Sequence, residues 1–214
     1  MFIDLHTHSV SSDDSRATVE QYVKWVGVLR KKGNRIDGFV LTEHRKFDFD
    51  KSYTELGEAN DVLIMKGSEL DTNMGHFLVY GVTEALADAI DFSDVSMDAL
   101  ELVRAAEELG AIAVPAHPGR FGIGLCEFMG NGRDFSSIRA AEGLNGSNRP
   151  GEQERAEELI RQLGVPATGG SDAHLVSAIG RCMTRFENPV MSETDLVREL
   201  RAGAFAPVLL ADAV

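Results

Sequence analysis

The sequence predicts an α/β barrel, and three observations carry that prediction. Short apolar runs alternate with stretches of helical periodicity, giving roughly seven strand–helix units. Caps and glycines punctuate the boundaries, as at Thr18, Gly33, Gly110 and Gly164. Residues with chemistry fall at the ends of the apolar runs, which form the working rim of a parallel α/β barrel. A chain of 214 residues with 43% hydrophobic content supports one domain, 1–214, with a full core.

Each element has a local reason. Residues 2–5 are a short apolar strand. Thr18 can cap the next helix, with Gln21 three residues on as capping-box partner. Val19, Tyr22, Val23, Val26 and Leu29 then recur at helical spacing until Gly33 stops them. Residues 38–41 read as a strand, 51–60 as a helix, 62–65 as a strand running towards Glu69, and 77–80 as another strand. Ser96 caps a helix to Leu109, with Gly110 after it, and 112–114 and 141–144 are strands. Ala156, Leu159, Ile160 and Leu163 mark a helix before Gly164, followed by a strand at 165–168. Ser192 caps the last helix to Arg201, and 205–210 closes the chain as a strand. No repeat, low-complexity tract or linker interrupts this order. Segment 119–137 is glycine-rich and irregular and reads as an active-site loop.

Composition excludes several classes. No apolar run reaches membrane length, and the start carries no signal-peptide pattern. Two distant cysteines, Cys126 and Cys182, argue against a disulfide framework and for the cytoplasm. The net charge of −13 disfavours nucleic acid as partner, because non-specific duplex binding needs a basic surface.

All six histidines sit in short motifs beside apolar runs. His6 and His8 follow the first strand, Glu43 and His44 the second, and Glu69 the third. His117 follows the strand at 112–114, and Asp172 and His174 follow 165–168. His76 precedes its strand and must reach in from a loop. Residues two apart on a strand point the same way, so His6-Thr7-His8 aims two imidazoles together, and Asp172-Ala173-His174 repeats the device. A lone histidine at a strand end is usually a satisfied polar residue. Six of them, in order with three acids, are what a multi-metal site looks like. Imidazole suits Zn, Mn and Fe, and added carboxylates suit Mn and Fe and let one oxygen pair bridge two ions.

This order resembles the PHP family, named for polymerase and histidinol phosphatase. The residues that carry it are Asp4-Leu5-His6-Thr7-His8-Ser9, Ser12-Asp13, Leu41-Thr42-Glu43-His44, Gly67-Ser68-Glu69, His76, Ala116-His117-Pro118 and Gly170-Ser171-Asp172-Ala173-His174. The resemblance implies a distorted seven-stranded, TIM-like (β/α)7 barrel and two or three divalent metal ions, Mn, Fe or Zn. It implies that His6, His8, Glu69 and Asp172 hold a first ion. Glu69 would bridge to a second, with His76 and His117, and Asp13, His44 and His174 would hold a third. Some relatives have histidine where this chain has Asp13, and many have Asp-His where it has Glu43-His44. Glu43 is therefore read as a support behind the ligands.

Other residues are candidates on local grounds. Asp4 either orients an imidazole or caps its strand, and Glu142 either reaches the rim or forms a salt bridge. Arg45, Arg120, Arg149 and Arg181 lie near motif ends, where a guanidinium fork suits phosphate. Arg120 and Arg181 are favoured as substrate binders because each follows a glycine.

The resulting expectation is a cytoplasmic, metal-dependent phosphoesterase acting on a small phosphorylated substrate, a phosphomonoester. A hydroxide bridging the first two ions is expected to attack phosphorus. Asp172 is the expected proton acceptor, Glu69 the bridging carboxylate, and His174 a donor to the leaving group when it is not on a metal. Two alternatives use the same metals: a 3'-5' exonuclease or nucleotide phosphodiesterase, and a hydrolase of other esters or amides. A non-catalytic metal-binding regulatory subunit would show broken ligand positions, and none of the expected positions is empty.

Overall fold

The computed structural model of the protein describes residues 1–130 and 132–213. Asn131, inside the segment 119–137, and Val214, at the end of the 1–214 domain, lie outside the described residues. Nine strands and six α-helices are described: β1 (Phe2–Thr7), α1 (Val19–Lys31), β2 (Gly38–His44), α2 (Thr54–Glu58), β3 (Leu63–Thr72), β4 (Gly75–Tyr80), α3 (Glu84–Ala89), α4 (Ala99–Glu108), β5 (Ile112–Pro115), β6 (Ala141–Asn145), α5 (Glu152–Leu163), β7 (Ala167–Gly170), β8 (Cys182–Phe186), α6 (Glu193–Ala202) and β9 (Phe205–Leu209).

The caps act as the sequence expects at both ends of the chain. Thr18 forms the capping box with Gln21 at α1, and Ser192 accepts the Asp195 N–H at α6. At α4 the cap is Asp98 rather than Ser96, since its carboxylate takes both the Leu100 and Glu101 N–H groups. Helix α3 and strand β8 have no counterpart in the sequence reading.

The sheet is mixed, and this corrects the expected barrel of parallel strands. One seven-stranded sheet runs β5-β4-β3-β2-β1-β8-β9, and β6-β7 form a separate pair. Only β1-β2, β2-β3 and β6-β7 are parallel, and β3-β4, β4-β5, β1-β8 and β8-β9 are antiparallel. The link from β3 to β4 is Asn73-Met74, far too short for the crossover that a parallel neighbour needs. The two sheets meet where an isolated Thr7–Ala173 bridge joins the end of β1 to the loop after β7. A closed (β/α)7 ladder is thus not formed among the described residues; the architecture is α/β with a mixed sheet and an added parallel pair.

Helix α1 covers the outside of β1 and β2 with Val19, Tyr22, Val23, Val26 and Leu29. Helix α4 packs Leu102, Val103 and Ala106 with Phe77 and Val79 of β4. Ile3, Leu5, Val40, Met65, Leu78 and Val114 form a third core cluster with Leu196 and Leu200 of α6. All six residues of β1 are buried, and its ladder with β2 slips register between Asp4 and Thr7. Such an irregularity re-aims side chains, and His6 lies inside it. Both cysteines are free, Cys182 in the core and Cys126 half-buried. Among the described residues no helix is long and apolar enough to cross a membrane.

Candidate metal centre

Glu69 is the hub. It sits on β3, paired with His44 of β2 and Leu78 of β4, and is almost fully buried. Its Oε2 lies 3.2 Å from His6 Nε2, 3.1 Å from His8 Nε2 and 3.3 Å from His44 Nδ1. Its Oε1 lies 2.9 Å from His117 Nε2 and 3.1 Å from His76 Nδ1. One carboxylate therefore faces five imidazoles, three on one oxygen and two on the other. His76 reaches in because the β3–β4 hairpin carries it back beside Asp71, its register partner.

Asp172 closes the group from the far side. Its Oδ1 is 3.5 Å from His6 Nε2, 3.6 Å from His8 Nε2 and 3.5 Å from His174 Nδ1. Its Oδ2 accepts from Arg120 Nη2 at 2.7 Å. Three ligand-like groupings result: His6, His8 and Asp172; His6, Glu69 and His117; and His8, His44 and His174.

Their backbone is held under strain. Of the four non-glycine residues with positive φ among the described residues, Asp172 (53°) and His117 (28°) are in the cluster and Arg45 (54°) follows His44. Such conformations persist only where the surroundings impose them. Here Asp172 N–H donates to the His6 carbonyl at 2.8 Å, His117 N–H to Glu142 Oε2 at 2.6 Å, and Arg45 N–H to the Glu69 carbonyl at 2.8 Å. Gly170 is required by close approach, because a Cβ there would stand 2.4 Å from His6 Cβ.

Partners behind the ligands choose which ring nitrogen faces inward. Glu142 is buried, and its Oε1 accepts from His6 Nδ1 at 3.0 Å, which makes Nε2 the atom turned towards Glu69. Of the two places the sequence leaves open for Glu142, the rim and a salt bridge, the structure has it on β6 against His6. Glu43 accepts the hydroxyls of Ser9 and Ser12, each at 2.5 Å, and Ser12 Oγ stands 3.4 Å from His8 Nδ1. Glu43 thus supports His8 through Ser12. Asp71, which the sequence reading missed, stands 3.2 Å from His76 Nε2. Asp4 does not touch an imidazole: its carboxylate takes the Ser171 and Gly180 N–H groups at 2.8 and 2.7 Å, and burial pushes its carboxyl up to about 6.

The electrostatics ask for cations. Burial opposes charge on Glu69, but the imidazoles of His6, His117 and His76 outweigh it and hold the carboxyl well below its usual range. Asp172 behaves alike: burial raises it, His6, His117 and Arg120 lower it, and it settles at about 2. Burial lowers His6 as well, yet Glu142, Asp172 and Glu69 raise it well above an ordinary imidazole. Metal–ligand bonds of about 2.0–2.2 Å imply ligand–ligand edges of roughly 3.0 Å in an octahedron and roughly 3.4 Å in a tetrahedron. The 2.9–3.6 Å spacings around Glu69 and Asp172 fall in that range. Nitrogen and carboxylate oxygen are also the donor set for Mn, Fe or Zn, so the residues fit divalent ions.

One expected ligand is misplaced. Asp13 points outward, with its side chain 81% exposed and its nearest cation Arg45 at 3.9 Å. Asp14 takes the position instead: its Oδ2 is 3.3 Å from His44 Nε2 and 3.2 Å from His174 Nε2. The turn after β1 decides between two adjacent acids that composition cannot separate. Asp14→Asn is therefore expected to lower metal content at the His44–His174 end by about one equivalent, whereas Asp13→Asn leaves it unchanged; metal analysis of the purified variants decides.

The arginines divide in the same way. Arg120 reaches the cluster through Asp172. Arg45 stands at its edge, 3.4 Å from Asp71. Arg149 and Arg181 are exposed, and among the described residues neither pairs with a carboxylate of the cluster. Arg181 precedes β8, where its N–H donates to the Ala178 carbonyl at 3.2 Å and its carbonyl accepts the Leu210 N–H at 3.0 Å.

Comparison with known proteins bears on the whole. A PHP-associated family model matches residues 150–205, the stretch that contains Asp172 and His174. No curated protein matches the sequence. Among solved structures, PsfC from Pseudomonas syringae is similar over 97% of this chain and 91% of its own, at 22% identity and a TM-score of 0.70. A two-domain protein from Bacteroides vulgatus, containing a predicted PHP-like metal-dependent phosphoesterase, matches 98% of this chain at 20% identity and a TM-score of 0.64. The lesion-specific endonuclease Q of Pyrococcus furiosus matches 96% at 16% identity and a TM-score of 0.66. This chain spans 64% of the Bacteroides protein and 57% of the endonuclease. The family match is thus confined to residues 150–205, and the likeness to the solved structures is one of fold.

Proposed function

We propose that the chain is a metal-dependent phosphoesterase that hydrolyses a small phosphomonoester. The observation that carries this reading is the single Glu69 carboxylate meeting five imidazoles, with the Arg120 guanidinium 2.7 Å from Asp172 at the mouth of the same cluster. His6, His8, Glu69 and Asp172 would hold one ion, Glu69, His76 and His117 a second, and Asp14, His44 and His174 a third. Divalent ions bound there supply an activated water and neutralise phosphate oxygens. The side chains do the rest. Glu142 keeps His6 in one tautomer, and Asp71 does so for His76. Arg120 pairs with Asp172 until a phosphate competes for its fork. Its transfer to the phosphate frees Asp172 Oδ2 to accept the proton of the water. His174 has both ring nitrogens engaged, Nδ1 with the Asp172 carbonyl at 3.0 Å and Nε2 with Asp14, so it serves as a ligand rather than a proton donor.

A small ester is favoured over a nucleic-acid end by the net charge of −13, and the cytoplasm by two free cysteines. The test is phosphate release from a panel of monoesters by protein loaded with Mn, Fe or Zn. Arg120→Ala is expected to lower kcat/KM about tenfold or more, the worth of a charge-assisted bond to phosphate, with metal content retained. Arg181→Ala is expected to leave kcat/KM within about twofold, as an exposed side chain would. A protein carrying two or more metal equivalents that releases no phosphate from any monoester overturns the reading and puts esters or amides next.

A further inference from the structure

The chain is acidic overall, yet cations gather on one side of the metal centre. Arg45, Lys46 and Lys51 follow His44, and Lys66 of β3 joins them. Two hollows adjoin there. An open groove of about 450 Å³ is lined by His44, Ser12, Arg45, Lys46 and Val95, among others. A smaller recess of about 80 Å³ is lined by Glu43, Lys46, Phe47, Lys51, Tyr53 and Lys66, among others. Ser11 and Lys46 belong to both walls.

The recess suits an anion. Its two carboxylates are engaged: Glu43 with the Ser9 and Ser12 hydroxyls, and Asp48 with Lys51 at 3.0 Å. Its three ammonium groups are not used up. An ammonium has three N–H donors. Lys66 gives two, to the Asp48 and Lys51 carbonyls at 2.7 and 2.5 Å, and stands 4.9 Å over the Phe47 ring. Lys51 gives two, to Asp48 and to Ser11 Oγ at 3.1 Å, and Lys46 gives one, to the Ser11 carbonyl. Among the described residues each lysine keeps at least one donor free. The space is on the order of five water positions, enough for one small anionic group.

The geometry points to a second anion subsite: the groove takes the leaving portion of the substrate, and the recess takes a phosphate or carboxylate carried on that portion. The substrate class is then a phosphomonoester whose leaving group bears a second anionic group. Which end is cleaved rests on the phosphoesterase reading, whereas binding in the recess does not.

The test separates the two. Metal-loaded protein, with metal in excess in the buffer, is titrated with alkane bisphosphonates of increasing chain length, with phosphonocarboxylates and with plain alkylphosphonates. None of these is hydrolysed. At one chain length the dianion is expected to bind about tenfold tighter than the alkylphosphonate, as an added charge-assisted pair gives. Comparison of bisphosphonate with phosphonocarboxylate at that length identifies the preferred anion. Lys46→Met and Lys51→Met should each cut the advantage while alkylphosphonate affinity, metal content and melting temperature stay the same, and Lys46→Arg should keep part of it. Equal affinity for one and two anions at every length overturns the subsite, as does an advantage that survives both methionine variants. Phosphate release from alkanediol mono- and bisphosphates is followed in parallel. Dianion preference without release faults the phosphoesterase reading and leaves the subsite standing; release without preference does the reverse.

Discussion

Glu69→Gln is expected to lose at least one metal equivalent and to lower kcat/KM at least about a hundredfold, while the fold survives. The substitution keeps size but takes one negative charge from a carboxylate that faces five imidazoles. The new NH2 must also face ring lone pairs: those of His6, His8 and His44 in one orientation, or those of His76 and His117 in the other. Either way one ion loses an anionic ligand and meets a donor in its place. Removal of support behind a ligand already costs about 10–100-fold in affinity or activity, so removal of a shared ligand should cost more. The strand itself is held by backbone pairing to β2 and β4, which the substitution does not touch. Metal per chain, circular dichroism and phosphate release together check the result. Near-normal turnover with full metal content would falsify the bridging role.

Glu142→Gln is expected to act almost as strongly without touching a metal. Both carboxylate oxygens of Glu142 are acceptors, Oε1 from His6 Nδ1, and Oε2 from the His117 N–H at 2.6 Å and Asn145 Nδ2 at 3.0 Å. An amide satisfies only one side. With its NH2 towards His6, the ring must carry its proton on Nε2, where the lone pair for a metal belongs. With its NH2 towards His117, a buried N–H is left facing another donor, at a cost of about 1–3 kcal/mol. That N–H belongs to a residue with φ of 28°, which this bond helps to hold. The expected outcome is a metal affinity weaker by about 10–100-fold and a melting temperature lowered even in the metal-free protein. A buried carboxylate that merely fills space would show neither change.

Much of this was legible in the sequence, for a physical reason. Metal donors are few in kind, so His6, His8, His44, His76, His117 and His174 stand out individually, and strand ends are where such donors converge. Helix caps are local, so Thr18 and Ser192 were readable. What failed was non-local. Strand β8 has a mixed pattern, Cys182-Met183-Thr184-Arg185-Phe186, with four of its five residues buried, and no alternation announces it. Pairing direction is set by link length and packing, so the hairpin at Asn73-Met74 turns β4 against the expected parallel order. Asp13 and Asp14 are chemically alike, and only the turn geometry separates them.

The junction between Thr7 and Ala173 also fixes when the site can exist. His8 N–H donates to the Ala173 carbonyl at 2.9 Å, and Tyr22 reaches the His8 and Ala173 carbonyls at 2.8 and 2.7 Å. The first pair of histidines is made well before its partner acid, which lies beyond β7. A nascent chain therefore emerges with an incomplete set of donors and stays so until the segment after β7 has left the ribosome. Closing so long a loop is entropically costly, and the cost falls on the same step that assembles the ligands. Convergence of the donors therefore belongs to a late stage of folding in this chain.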